Sequence, residues 1–162
     1  MIKIVKHSGI YTLVIKQVLS TDLKTAWAFF SNPENLAQIT PPEMGFIQTS
    51  DKAQKMYPGQ IITYKIGIPG FLKTNWVTEI TQVKENSFFI DEQRYGPFSM
   101  WHHEHFFIVK GNEIEITDKV SYKIPFGFLG YLAHSIFVKK QLQKIFKFRY
   151  EKLSVLFGND LQ

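Results

Sequence analysis

The sequence predicts an α+β fold: a curved antiparallel sheet of about six or seven strands with one long C-terminal helix laid across it, and two short helices after the first strand. Three observations carry this. The middle of the chain is a succession of short runs rich in β-branched and aromatic residues, separated by small turn-forming segments. Its last stretch, residues 127–157, changes to a helical spacing of apolar residues. Between the first strand and the succession lie a capping motif and proline-punctuated segments that leave room only for short helices.

Residues 1–8 read as an extension ahead of the first strand. Residues 10–19, IYTLVIKQVL, form that strand. Ser20, Thr21 or Asp22 can then cap a helix over LKTAWAFFSN, which stops before Pro33. A second short helix starts near Pro33 and covers ENLAQ, with proline in its first turn. The segment TPPE, residues 40–43, reads as a loop because its prolines oppose helix. Strands follow over FIQTS, QIITYKIG, KTNWVTEITQV, SFFIDEQRY, SMWHHEHFFIVK and EIEITDKVSYKI. Their short connections, among them IPGF, KEN, GPF and GN, imply an antiparallel meander. In the terminal stretch, apolar residues at 129, 132, 136, 142, 145, 146, 153, 156 and 157 alternate with lysines, and Gly158 closes the helix.

The bulk properties bound the function. A chain of 162 residues is the size of one domain and can bury a real core, so 1–162 is read as a single domain. Aromatic residues make up 15% of it, enough to fill a thick core or to line an apolar cavity. The net charge of +5 reads as a lysine-rich solvated surface. Nucleic acid is not an expected partner, because the aromatics alternate into the interior and do not interleave with basic residues on one face. The absence of cysteine excludes disulfides and thiolate metal sites. No apolar run approaches the ~20 residues of a membrane span. The start, MIKIVKHSG, lacks the apolar core of a secretory signal, so a cytoplasmic location is expected.

The segments AWAFFSNPENL, ITPPEMGF, WVTEIT, FIDEQRYGPFSMWHHEHFF, TDKVSYKIPFGFLG and LAHSIFVKKQLQKIF cover almost the whole chain after residue 10. Together they resemble the SRPBCC superfamily, also called START-like or Bet v 1-like. The likeness is greatest to its bacterial single-domain members, described as ligand-binding SRPBCC or polyketide cyclase-like proteins. The resemblance implies a helix-grip fold with an internal cavity for an apolar or amphiphilic small molecule. It implies no particular reaction, and fold does not fix function.

Side-chain parity selects the inner residues. In the strand 113–123, Ile114, Ile116, Val120 and Tyr122 share the buried face with Asp118, a lone carboxylate in an apolar row. A buried carboxylate needs a partner. Reading KGNE as a two-residue type II′ hairpin centred on Gly111 and Asn112 sets Lys110 opposite Glu113 and His105 opposite Asp118. Trp101, His103, His105 and Phe107 then face inward, with His102 and Glu104 toward solvent. A bulge at Gly111 would reverse this and turn His102 and Glu104 inward. The resemblance favours the first register, since its recurring pattern is Trp-x-His-x-His-x-Phe followed by an inward Asp.

Four roles suit His103, His105 and Asp118. They can fix strand register as a mutually satisfied structural pair. They can orient a ligand on a greasy wall. As a His-Asp pair they can act as general acid and base in cyclase- or aromatase-like chemistry. Two His and one Asp can also ligate zinc or iron, although Asp118 suits the orienting position behind the ligands better, and no metal or cofactor is expected. No activated Ser or Cys nucleophile is evident. The same parity makes Tyr64, Trp76, Trp101 and Tyr122 candidate ligand contacts, and leaves the face of Asp91 open. Pro97, Gly127 and Gly130 mark the expected cavity mouth and a hinge for the helix. His134 reads as a boundary residue. The leading expectation is a binder of a hydrophobic or aromatic small molecule. An enzyme and a lipid carrier docking on anionic membranes through its basic helix are the alternatives.

Overall fold

The computed structural model of the chain describes residues 2–51, 55–67 and 73–158. Among these residues, eight strands form one antiparallel sheet: β1 (Lys3–His7), β2 (Ile10–Leu19), β3 (Ile47–Gln48), β4 (Gln60–Gly67), β5 (Lys73–Lys84), β6 (Phe88–Tyr95), β7 (Met100–Lys110) and β8 (Glu113–Lys123). Their order is β1-β2-β8-β7-β6-β5-β4-β3. Residues 3–7 were expected as an extension; they pair with β2 instead, Ile4 opposite Leu13. The left-handed Ser8 and the Gly9 beside it turn the chain back at that point. The IPGF turn lies outside the described residues.

After β2, the Asp22 side chain accepts from the Thr25 backbone N–H and caps α1 (Leu23–Phe30). Asn32 caps a 3₁₀ helix, Pro33–Ile39, whose first residue is the proline that a helix start tolerates. The loop expected over TPPE is tighter than a plain loop. Pro42–Met44 complete one 3₁₀ turn, closed by Gly45 in the left-handed region.

The chain from Gly127 to Leu156 is helical throughout. It comprises α2 (Gly127–Ala133), a π-helical turn (His134–Val138) and α3 (Lys139–Leu156). Gly158 follows at φ 72°, the left-handed stop foreseen in the sequence. This helix lies across the concave face of the sheet. Its buried residues Leu142, Phe146, Arg149 and Leu153 recur at helical spacing on the side facing the strands.

The core has two parts. One gathers Leu19, Trp27, Ile62, Ile80, Phe89, Phe107 and Ile116 beneath α1 and the end of α3. The other gathers Tyr11, Leu13, Trp101, Val120, Tyr122, Leu142 and Phe146. Trp27 meets Phe89 and Phe107 edge-on, a favourable aromatic arrangement. Trp76 packs against both parts from β5.

Candidate functional site

The hairpin between β7 and β8 sets the site. Gly111 has φ 62°, and Lys110 pairs with Glu113, so His105 stands opposite Asp118 and His103 opposite Val120. Trp101, His103, His105 and Phe107 are buried on the sheet's inner face. His102 and Glu104 occupy the other face, where His102 Nδ1 lies 3.0 Å from Glu92 and Glu104 takes an ion pair from Lys119 at 2.7 Å.

Asp91 completes the inner cluster. Its strand pairs it with His103, and its own neighbour Phe89 pairs with His105. The two imidazoles sit 3.8 Å apart, centre to centre, between two carboxylates. On one side, Asp91 Oδ2 lies 2.8 Å from His105 Nε2 and 3.5 Å from His103 Nδ1. On the other, Asp118 Oδ1 lies 3.2 Å from His103 Nε2 and 2.8 Å from His105 Nδ1. The last contact has ion-pair distance without hydrogen-bond direction, so the hydrogen bond of His105 runs to Asp91.

Electrostatics divide the two histidines. Burial alone would raise both carboxyl groups, but the imidazoles outweigh it and hold Asp91 below, and Asp118 well below, the ordinary carboxylate range. Burial, together with the charge of His105, pushes His103 down. Burial also acts against His105, yet its contacts with Asp118 and Asp91 prevail and raise it. The cluster thus favours a charged His105 beside a neutral His103. One ring can give a proton and the other can take one. Asp91, His103 and His105 also offer ligand atoms within 4.8 Å of one another. With Asp118 behind both rings, they could hold zinc or ferrous iron, leaving positions open.

A hollow of about 280 Å³ lies between the sheet and the helical segments, with His103, His105 and Asp91 at its wall. Tyr64, Trp76 and Trp101 line it, as do Thr78, Ile80 and Phe89 from the strands. Leu142, Ile145, Phe146 and Arg149 line it from α3, and Pro97 and Phe98 from the turn before β7. Most of these side chains are apolar.

Two candidates lie elsewhere. Asp118 is not on the wall; it backs the histidines and borders a much smaller gap beside Gln17 and Arg149. Tyr122 is fully buried in the second core part, where its hydroxyl reaches His134 Nε2 at 2.9 Å. His134 is correspondingly buried rather than at the boundary, stacked on Tyr11 at 3.6 Å. Burial, then Lys139 and Lys6, lower its pKa, and a neutral ring accepts from Tyr122. At Gly130 a Cβ would collide with the Pro125 carbonyl, so glycine there allows a close approach of the backbone.

Arg149 was missed. The apolar positions of the final helix skip from 146 to 153, and the residue filling the stripe between them is this arginine. A cation in an apolar stripe was the available signal. Asp91 was hidden for another reason. The ladder between β5 and β6 shifts register between Ile80 and Gln82, so simple alternation from β5 does not carry across.

The sequence matches no family model and none of the curated proteins. Solved structures match the fold closely. Major latex-like protein 151 of Panax ginseng has a TM-score of 0.66 at 14% identity, over 93% of this chain and 99% of that one. A protein from Mycobacterium smegmatis has 0.66 at 16% identity, over 98% of each chain. One from Chromobacterium violaceum has 0.68 at 13% identity, over 92% of this chain and 98% of its own. The chain has the Bet v 1-like helix-grip fold that the sequence motifs resemble.

Proposed function

We propose that the protein binds a hydrophobic or aromatic small molecule in the hollow between sheet and helix. The observation that carries this is the wall itself: rings and aliphatic side chains broken by one polar corner, His103, His105 and Asp91. Apolar surface supplies affinity there, and the few polar groups fix orientation. Native mass spectrometry of the purified protein, with titration by a solvent-sensitive apolar dye, tests it. A carried small molecule or saturable one-to-one dye binding is expected; absence of both overturns the proposal.

A second reading has its own support. Phe126, Phe128, Leu129 and Ile136 are each at least 68% exposed at the start of the helix, with the exposed Lys139 and Lys140 next along it. Exposed apolar groups beside cations suit an anionic bilayer surface, from which a guest could be collected. Flotation with phosphatidylserine vesicles at low salt should carry the protein upward, and Phe128→Ser with Ile136→Ser should abolish that. Failure of the unmutated protein to float removes this reading and leaves the binding proposal intact. Among the described residues, no helix is long and apolar enough to cross a membrane.

A further inference from the structure

Arg149 is 9% exposed, and its Nε has no hydrogen-bond partner. Among the described residues the guanidinium makes no ion pair, and its one ring contact is a stacking over Phe146 at 4.9 Å. Guanidinium cannot shed its charge, and its five donors form a rigid fork. Burying the Nε donor without a partner is costly, and among the described residues neither Asp91 nor Asp118, which border the same spaces, makes an ion pair with it. Asp91 feels it only as the weakest of the influences acting on that carboxyl. Yet the side chain lines the hollow, on the helix wall across from the sheet. Its surroundings on that side are apolar: Phe146, Leu142 and Ile145.

We infer that the guest is an amphiphilic acid, whose carboxylate or comparable anion takes the unspent fork of Arg149 while its apolar or aromatic body fills the rest of the hollow. This rests on the binding proposal above and adds the charge of the ligand to it. The pairing is bidentate in form, which Lys could not reproduce. The acid would span the hollow from Arg149 toward the aromatic side chains of the sheet. The His103–His105 corner then meets the body of the guest, not its anion, because Asp91 repels negative charge there.

Two dyes of one skeleton test this: anilinonaphthalene sulfonate, which is anionic, and phenylnaphthylamine, which lacks the sulfonate. Each is titrated against the full chain and against Arg149→Met, which keeps the apolar stem. The expected result is a loss of about tenfold or more in affinity for the sulfonate, with phenylnaphthylamine changed by less than about twofold. Equal affinities for the sulfonate before and after substitution overturn the inference while leaving the hollow as a binding site. Binding of neither dye to the unmutated chain overturns this inference, and with no carried molecule in the mass spectrum it overturns the binding proposal as well. If Arg149→Met loses both dyes, the hollow itself has gone, and Arg149→Lys decides. A selective loss of the sulfonate in that variant supports the fork, and undiminished binding overturns it.

Discussion

Asp118 Oδ1 lies 2.8 Å from His105 Nδ1, across neighbouring strands and beneath the apolar wall. The same oxygen lies 3.2 Å from His103, so one carboxylate braces both rings. Removing it leaves a buried, charge-favouring imidazole without half its support. Asp118→Ala should therefore cost about 3–5 kcal/mol of unfolding free energy, as for breaking a buried ion pair from one side. Asp118→Asn should cost less, because a polar group stays in place. Urea denaturation followed by tryptophan fluorescence measures both; equal stability of Asp118→Ala and the parent would contradict the buried pairing.

Stability should fall in acid, with a shape the cluster dictates. Asp91 and Asp118 have lowered folded-state pKa values, so their contribution is complete above the unfolded value of about 4 and lost as pH drops through the folded ones. His103, also lowered, contributes above about 6.5 and loses that contribution as pH drops further. His105, raised, acts oppositely: its contribution is full below about 6.5 and fades as pH rises through its folded value. The two histidines offset one another near neutrality, and the carboxylates dominate below about pH 4. Denaturation curves from pH 7 to pH 2.5 should show a steep acid limb, flattened in Asp118→Asn.

Tyr122 and His134 form a buried pair away from the hollow. Tyr122→Phe should cost about 1–3 kcal/mol, since it strands a buried imidazole nitrogen. It should leave dye affinity unchanged. A marked loss of dye binding with full stability would place Tyr122 at the site after all.

Ile145 lines the hollow from α3 and is only partly buried. Ile145→Trp should fill part of the space and weaken guest binding by about tenfold or more, with a stability change under about 1.5 kcal/mol. Calorimetric titration with phenylnaphthylamine, paired with a melting curve, checks both halves.

On the opposite face, His102 bridges toward Glu92 at partly exposed positions. His102→Ala should change stability by less than about 1 kcal/mol. Comparison with His103→Ala, which opens the buried cluster, makes the face assignment measurable: similar costs for the two would speak against it.

Much of this architecture was legible because its signals were local. The limits of β2 and β4 could be read from their β-branched runs, and Gly111–Asn112 set the register that brought His105 to Asp118. β1 escaped because Lys3, Lys6 and His7 leave it no alternating pattern; it is an edge strand held by pairing with β2. Asp91 could not be placed from its own run, where Phe88 and Ile90 are as apolar as Phe89. Its face follows from pairing with β7, a non-local fact. Tyr122 satisfied the same inward parity as Trp101, but parity names a face and cannot say whether packing or open space lies above it.

The π turn at His134–Val138 admits one residue more than an α-helical turn would. Everything after it is rotated by roughly 100° relative to an unbroken α-helix. Deleting any single residue in 134–138 therefore need not destroy helicity. It would close the turn to an α-helical one and leave the stripe of Leu142, Phe146, Arg149 and Leu153 on the strands, whereas winding the same residues as unbroken α-helix would swing that stripe away. The winding of this short insert, not the identity of its residues, decides which side of the final helix meets the strands.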